Sequence, residues 1–157
     1  MKSVLFAKLI NGLLASRLKR SPDFVIGGIE RPYMLRWFII PRNRFFNVYH
    51  HVILRSDDDR ALHDHPWWSL SIALDGDMVE VLPGEVRRTL RQGDIVLRTA
   101  SSAHRLEIRE GAGCKTLFIT GPRIREWGFH CPKGWKHWKD FVARGDAGAV
   151  GPGCDDE

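Results

Sequence analysis

Between Leu35 and Thr120 the chain is a succession of short β-branched and aromatic runs, each closed by a turn signal. Leu35–Ile40, Phe45–Arg55, Trp67–Leu74, Met78–Leu82, Glu85–Leu90, Asp94–Arg98, His104–Arg109 and Thr116–Thr120 read as strands. Pro41, Ser56-Asp57-Asp58-Asp59, Asp75-Gly76-Asp77, Pro83-Gly84, Gln92-Gly93 and Gly111-Ala112-Gly113 stand between them. Many short strands at this pitch predict an all-β sandwich or barrel.

At 157 residues, 43% hydrophobic and 27% charged, the chain is an ordinary globular domain with enough residues for a real core. One domain is expected over 1–144: a helix at 3–18, a barrel at about 35–125 and an aromatic cap at 126–144. The Gly-, Pro- and acid-rich tail 145–157 reads as disordered. Leu5, Phe6, Leu9, Ile10, Leu13 and Leu14 recur at helical spacing, so the N-terminal helix is amphipathic and suited to cover a sheet or an oligomer interface. Ser21-Pro22-Asp23 and Gly27-Gly28 mark loops. In the cap, Trp135, Trp138 and Phe141 at three-residue spacing predict a short helix pinned to the barrel.

Formal net charge is +5, which suits an anionic partner, but there is no arginine-rich run or nucleic-acid motif. Cys114, Cys131 and Cys154 are odd in number and widely spaced without a CxxC, which fits a reduced, cytoplasmic protein. Lys8 and Asn11 interrupt the N-terminal apolar stretch and no cleavage site follows, so it is not read as a signal peptide. No apolar run reaches transmembrane length, so no membrane partner is expected.

The chemistry is concentrated in Leu62-His63-Asp64-His65-Pro66-Trp67-Trp68-Ser69 and Ser102-Ala103-His104. Side chains alternate along a strand, so His63, His65, Trp67, Ser69, Ser71 and Ala73 share one face, a pocket wall. Trp68, Leu70, Ile72 and Leu74 share the other, an apolar packing face. His104 on a later strand would complete a three-nitrogen site with coordination positions left open. Asp64 points away from the pair, and Glu107 has the opposite parity from His104. His51 shares parity with Asn47 and Tyr49, which makes it a pocket candidate as a fourth ligand or a donor behind the ligands; His50 falls with Phe46, Val48, Val52 and Leu54. Arg60 and Arg98 lie close in sequence to the histidines and could clamp a carboxylate or phosphate. The C-terminal His130-Cys131…His137 segment has no standard zinc spacing.

The segment His63-x-His65-x3-Ser69-x6-Gly76 resembles the first cupin motif, whose usual form is HxH, a Glu, then a Gly. Gly93-x5-Thr99-x-Ser101-x2-His104 is similar to the second, with Thr99 and Ser101 where Pro and Gly commonly stand. The resemblance covers roughly residues 45–122. It implies an antiparallel jelly-roll barrel with a metal held inside by His63, His65 and His104. The ending, Phe118-Ile119-Thr120-Gly121-Pro122 and Arg125-Glu126-Trp127-Gly128-Phe129, is similar to uncharacterised cupin-like proteins of prophages and bacterial genomes, for which no reaction is implied.

The departure from the motif is Ser69, where a cupin usually has its Glu ligand. Three neutral imidazoles leave a divalent ion its full charge and favour an anionic substrate, as in the three-histidine thiol dioxygenases. The expectation is therefore a divalent metal, iron(II) ahead of zinc, nickel or manganese, with oxygenase-type chemistry on a small anionic molecule. Arg60 or Arg98 would orient it, and Ser69 and Ser71 would line the pocket. Two alternatives come with it: a non-catalytic ligand-binding or assembly protein, and a metal-free isomerase like the sugar-epimerase cupins, using a histidine base and Tyr49 as acid. Cupins often pair through their sheets, so a homodimer is expected.

Overall fold

A computed structural model describes residues 3–57, 61–144 and 151–154. Helix α1 (Val4–Leu14) tightens into a 3-10 turn, Ala15–Lys19. The strands that follow are β1 (Phe24–Ile26), β2 (Met34–Phe38), β3 (Asn47–Ile53), β4 (Leu62–His63), β5 (Ser69–Asp75), β6 (Met78–Leu82), β7 (Val86–Leu90), β8 (Ile95–Arg98), β9 (Arg105–Glu107), β10 (Cys114–Thr120), β11 (Gly128–Cys131) and β12 (Gly134–His137), and a four-residue helix α2 (Trp138–Phe141) closes the series. A six-stranded sheet runs β1-β2-β3-β10-β5-β8, and two three-stranded sheets run β12-β11-β4 and β7-β6-β9. The strand pairings are antiparallel throughout the described residues.

Register explains what the large sheet shows to each side. One cross-strand row holds Arg36, His51, Thr116 and Ala73, and the next holds Phe38, Tyr49, Phe118, Ser71 and Val96. A third holds Asn47, Thr120, Ser69 and Arg98. These rows share one face because side chains two apart along a strand point the same way. On the other face Leu70, Ile72, Leu74 and Leu117 pack beneath Ala7, Ile10 and Leu14 of α1. The helix thus buries one stripe on the sheet and leaves Leu5, Leu9 and Leu13 exposed. One end of the barrel is filled by Met34, Ile53, Ala73, Met78, Leu90, Val96, Ile108 and Cys114.

The two glycines of the motif resemblance occupy left-handed backbone, Gly76 at φ +74 and Gly93 at φ +91. A Cβ on Gly76 would lie 2.5 Å from the Gly113 carbonyl oxygen, and one on Gly93 would lie 2.8 Å from the Val4 amide nitrogen. Both turns therefore need glycine for conformation and for space.

Four sequence expectations are corrected. Strand β1 lies in a stretch between two loop signals and is held by its pairing with β2 rather than by any periodicity of its own. The run from His63 to Ala73 is not one strand: β4 ends at His63 and β5 begins at Ser69. Trp135 belongs to the β11–β12 hairpin, and only Trp138–Phe141 is helical. Cys131 and Cys154 form a disulfide, so the argument for a reduced compartment from three separate thiols falls; Cys114 is the one free cysteine, and it is buried. Their Cα atoms come to 5.4 Å because Gly153 bonds to the Phe141 carbonyl and to the Lys136 ammonium. The expected tail is outside the described residues at 145–150 and 155–157. No helix among the described residues is long and apolar enough to cross a membrane.

Candidate metal centre

The site is built on a backbone pairing. His63 and His104 form an isolated antiparallel bridge, His63 N–H to His104 O at 2.9 Å and His104 N–H to His63 O at 3.0 Å. That bridge links the two three-stranded sheets, because β4 belongs to one and β9 begins just after His104. Residues opposite each other in such a pair project from the same face. Their imidazole centroids stand 5.0 Å apart.

His65 is placed by its neighbour. The side chain of Asp64 alternates to the other side, is buried, and accepts hydrogen bonds from the Gly128 amide (2.9 Å), Arg125 (2.9 Å) and the Trp135 indole (3.1 Å). The His65 amide bonds to the Ala100 carbonyl at 3.1 Å. Asp64 therefore anchors the HxH segment to the C-terminal hairpin while both histidines turn inward. Phe129 of that hairpin is the cross-strand partner of His63, and Trp127 and Phe129 flank its ring. The cap is thus a wall of the site, a role its aromatic spacing did not reveal.

One ligand nitrogen from each of His63, His65 and His104 lies within 4.8 Å of the other two. His65 Nε2 and His104 Nε2 are 2.9 Å apart. Nitrogens bound at about 2.0–2.1 Å to one ion fall at about 3 Å from each other when their bonds are near perpendicular, so the donor set fits a divalent metal. Burial pushes His63 down to about 4, and burial with the neighbouring imidazoles pushes His65 well below the usual histidine range. Both rings are therefore neutral at neutral pH, the form that ligates a metal.

Sequence reasoning missed Glu80. It is fully buried on β6, and its Oε1 accepts from His104 Nδ1 at 2.7 Å and from Arg98 Nε at 2.6 Å. Arg88 reaches its other oxygen, Nε at 3.0 Å. Burial works to raise the Glu80 carboxyl, but the His104 and Arg98 contacts outweigh it and hold it well below the usual carboxylate range. An ionised Glu80 fixes the His104 proton on Nδ1 and turns the Nε2 lone pair toward His65. A carboxylate does stand at this centre, one hydrogen bond behind a ligand rather than at Ser69. Its signal in the sequence was a lone acid within the apolar run Met78–Leu82.

Glu80 also changes the reading of Arg98. Buried against that carboxylate, with its Nη1 on Ser71 Oγ at 2.9 Å, Arg98 is committed within the protein instead of facing a substrate. Ser69 is sealed between Arg98 and Thr120, and its hydroxyl has no hydrogen-bond partner among the described residues, so it does not line an open pocket. Arg60 lies outside the described residues. Tyr49 and His51 are buried, their rings stacked 5.8 Å apart, and His51 Nε2 accepts from Arg36 Nε at 2.8 Å. That bond engages the nitrogen, and the Phe118 ring lies between His51 and His65, so His51 is not in the ligand cluster. His130 and His137 pair with Asp64 and Glu126, which leaves no second metal cluster among the described residues.

The fold is that of the cupins, the double-stranded β-helix. A polyketide cyclase, RemF from Streptomyces resistomycificus, superposes with a TM-score of 0.52 at 16% identity over 65% of this chain and 72% of that one. The DMSP lyase DddQ from Ruegeria pomeroyi gives 0.53 at 15% identity over 73% of this chain and 61% of its own. A cupin-like protein from Thermotoga maritima gives 0.50 at 15% identity over 69% and 88%. No family model and no curated protein sequence matches the chain. At these identities the likeness shows the fold alone.

Proposed function

We propose that this protein is a metal-dependent cupin acting on a small anionic molecule, with a divalent metal, iron(II) first, held by His63, His65 and His104. The observation that carries the reading is the Glu80–His104 hydrogen bond of 2.7 Å behind three converging imidazoles. A buried carboxylate on the outer nitrogen of a ligand histidine is the arrangement that orients metal-binding imidazoles and raises their basicity. The bound ion would act as a Lewis acid and leave positions for a chelating substrate and for dioxygen. His63 and His65 remain neutral because burial disfavours their charged forms. Trp127 and Phe129 flank the His63 ring, and Phe118 flanks that of His65.

Metal analysis of untagged protein tests this. Stoichiometric metal that is lost in the His63→Ala, His104→Ala double variant supports it, and substrate-dependent oxygen uptake would then identify an oxygenase. No uptake of iron, zinc, nickel or manganese would overturn it. In that event the same His104–Glu80 contact favours a second reading, a metal-free isomerase in which the carboxylate backs a general-base imidazole. Activity that survives chelation but fails in Glu80→Gln would distinguish it.

A further inference from the structure

Arg36 lies in the middle of β2, inside the apolar run Met34–Phe38, and faces the barrel interior beside His51. Other arginines at the barrel walls meet carboxylates: Arg98 and Arg88 meet Glu80, Arg105 meets Glu107, and Arg125 meets Asp64. Arg36 does not. Its Nε donates to His51 Nε2, and its guanidinium carbon sits 4.7 Å over the Tyr49 ring. Its two terminal amino groups have no hydrogen-bond partner, and no carboxylate meets it, among the described residues. His51 cannot supply the missing charge: burial and the adjacent Arg36 push it well below the usual histidine range, so it is neutral. Burial pushes Arg36 itself down to about 10.

Arg36 is half-buried, so its guanidinium is partly desolvated with no counter-charge in the fold among the described residues, and its terminal amino groups stay open to an anion from outside. The free side of the guanidinium has the two-donor fork that suits a carboxylate or a phosphate. One ring, Phe118, stands between the Arg36–His51 pair and the three-histidine cluster. His51 lies 5.1 Å from Phe118, Phe118 lies 6.5 Å from His65, and the Arg36 charge acts on His65.

We propose that Arg36, held by His51 and Tyr49, is an anion-binding subsite inside the barrel that takes the acidic end of a ligand whose other end reaches the His63, His65 and His104 cluster. The ligand class is a small acid with a second donor group, of which a short dicarboxylate is the simplest member. Only the far end of that ligand rests on reading the histidines as a metal centre. The anion subsite itself does not.

Metal-free protein labelled with nitrogen-15 would be titrated at fixed ionic strength with acetate, glutarate, benzoate and inorganic phosphate, following the Arg36 Nε–Hε resonance. A saturable shift of the Arg36 Nε–Hε resonance and of the His51 and Tyr49 backbone amides with at least one of the four is the expected result, with the amide shifts abolished in Arg36→Gln and weakened in Arg36→Lys. Both variants should stay folded, because removing an unpaired cation relieves a burial cost, and their amide spectra check this. With cobalt(II) added, glutarate should bind about tenfold tighter than acetate to the wild type, and Arg36→Gln should erase most of that margin. No saturable shift with any of the four overturns the subsite. Equal glutarate affinity in cobalt-loaded wild type and Arg36→Gln overturns the two-ended ligand while leaving the metal centre standing. A saturable Arg36 shift in a protein that takes up no metal keeps the subsite and removes the metal reading.

Discussion

Replacing Glu80 by Gln removes one negative charge and changes almost no volume, at a point where three side chains converge. Glu80 is fully buried and Arg98 is 5% exposed. Breaking a buried pair by removing one partner costs about 3–5 kcal/mol, because the other charge is left uncompensated. Gln keeps one acceptor oxygen for His104 or Arg98, which puts the expected loss near the lower end, about 3 kcal/mol. Arg88 adds little, since its side chain is 44% exposed and water screens it. In a domain of this size that corresponds to a Tm lower by about 6–12 °C. Urea unfolding of metal-free wild type, Glu80→Gln, Arg98→Met and the double variant measures the pair directly. The double variant should lose at least about 2 kcal/mol less than the two singles combined. Acid gives the sign. The folded-state carboxyl is held well below its ordinary value, so its contribution is complete above about pH 4.3 and fades as pH falls below that. The gap between wild type and Glu80→Gln should therefore shrink on acidification. Metal affinity should drop about 10–100-fold in Glu80→Gln, as expected of a carboxylate that orients a ligand. Additive single variants would refute the coupling, and an unchanged metal affinity would refute the orienting role.

Burial holds the folded-state values of His63 and His50 at about 4, so metal-free protein should lose stability as pH falls from about 6.5 toward 4. Urea midpoints across that window would show it, and a flat profile would contradict it. Gly121→Ala would drive a Cβ into the Trp68 indole and should cost about 1–3 kcal/mol, read as a lower Tm that Gly121→Ala, Trp68→Ala largely recovers. Reducing Cys131–Cys154, which spans 23 residues, should cost about 3 kcal/mol on a loop-entropy basis, and an unchanged Tm in reductant would count against it.

Sequence periodicity and turn chemistry were enough for the antiparallel barrel, the N-terminal helix and the two motif turns. Each of these depends on near neighbours: alternation along a strand, helical spacing of Leu5 to Leu14, and glycines that alone tolerate the backbone at Gly76 and Gly93. The three histidines could be nominated the same way, as two residues on one strand face and a third on a later strand. Their convergence could not, because it depends on the His63–His104 bridge and on a hairpin 60-odd residues away that fastens Asp64. The charged residues were harder still. Arg60 and Arg98 drew notice for proximity in sequence, yet Arg98 is neutralised by Glu80, and the inward-facing arginine that meets no carboxylate among the described residues is Arg36. A charge inside an apolar strand announces only that it needs a partner. Which partner it has, or whether it has none, is decided by register between strands distant in sequence, and a register shift of one residue would turn every such side chain to the other face. Composition and pattern therefore determined the barrel and named its histidines, while tertiary pairing alone decided that Glu80 stands behind His104 and that Arg36 faces the interior beside His51, with no carboxylate against it among the described residues.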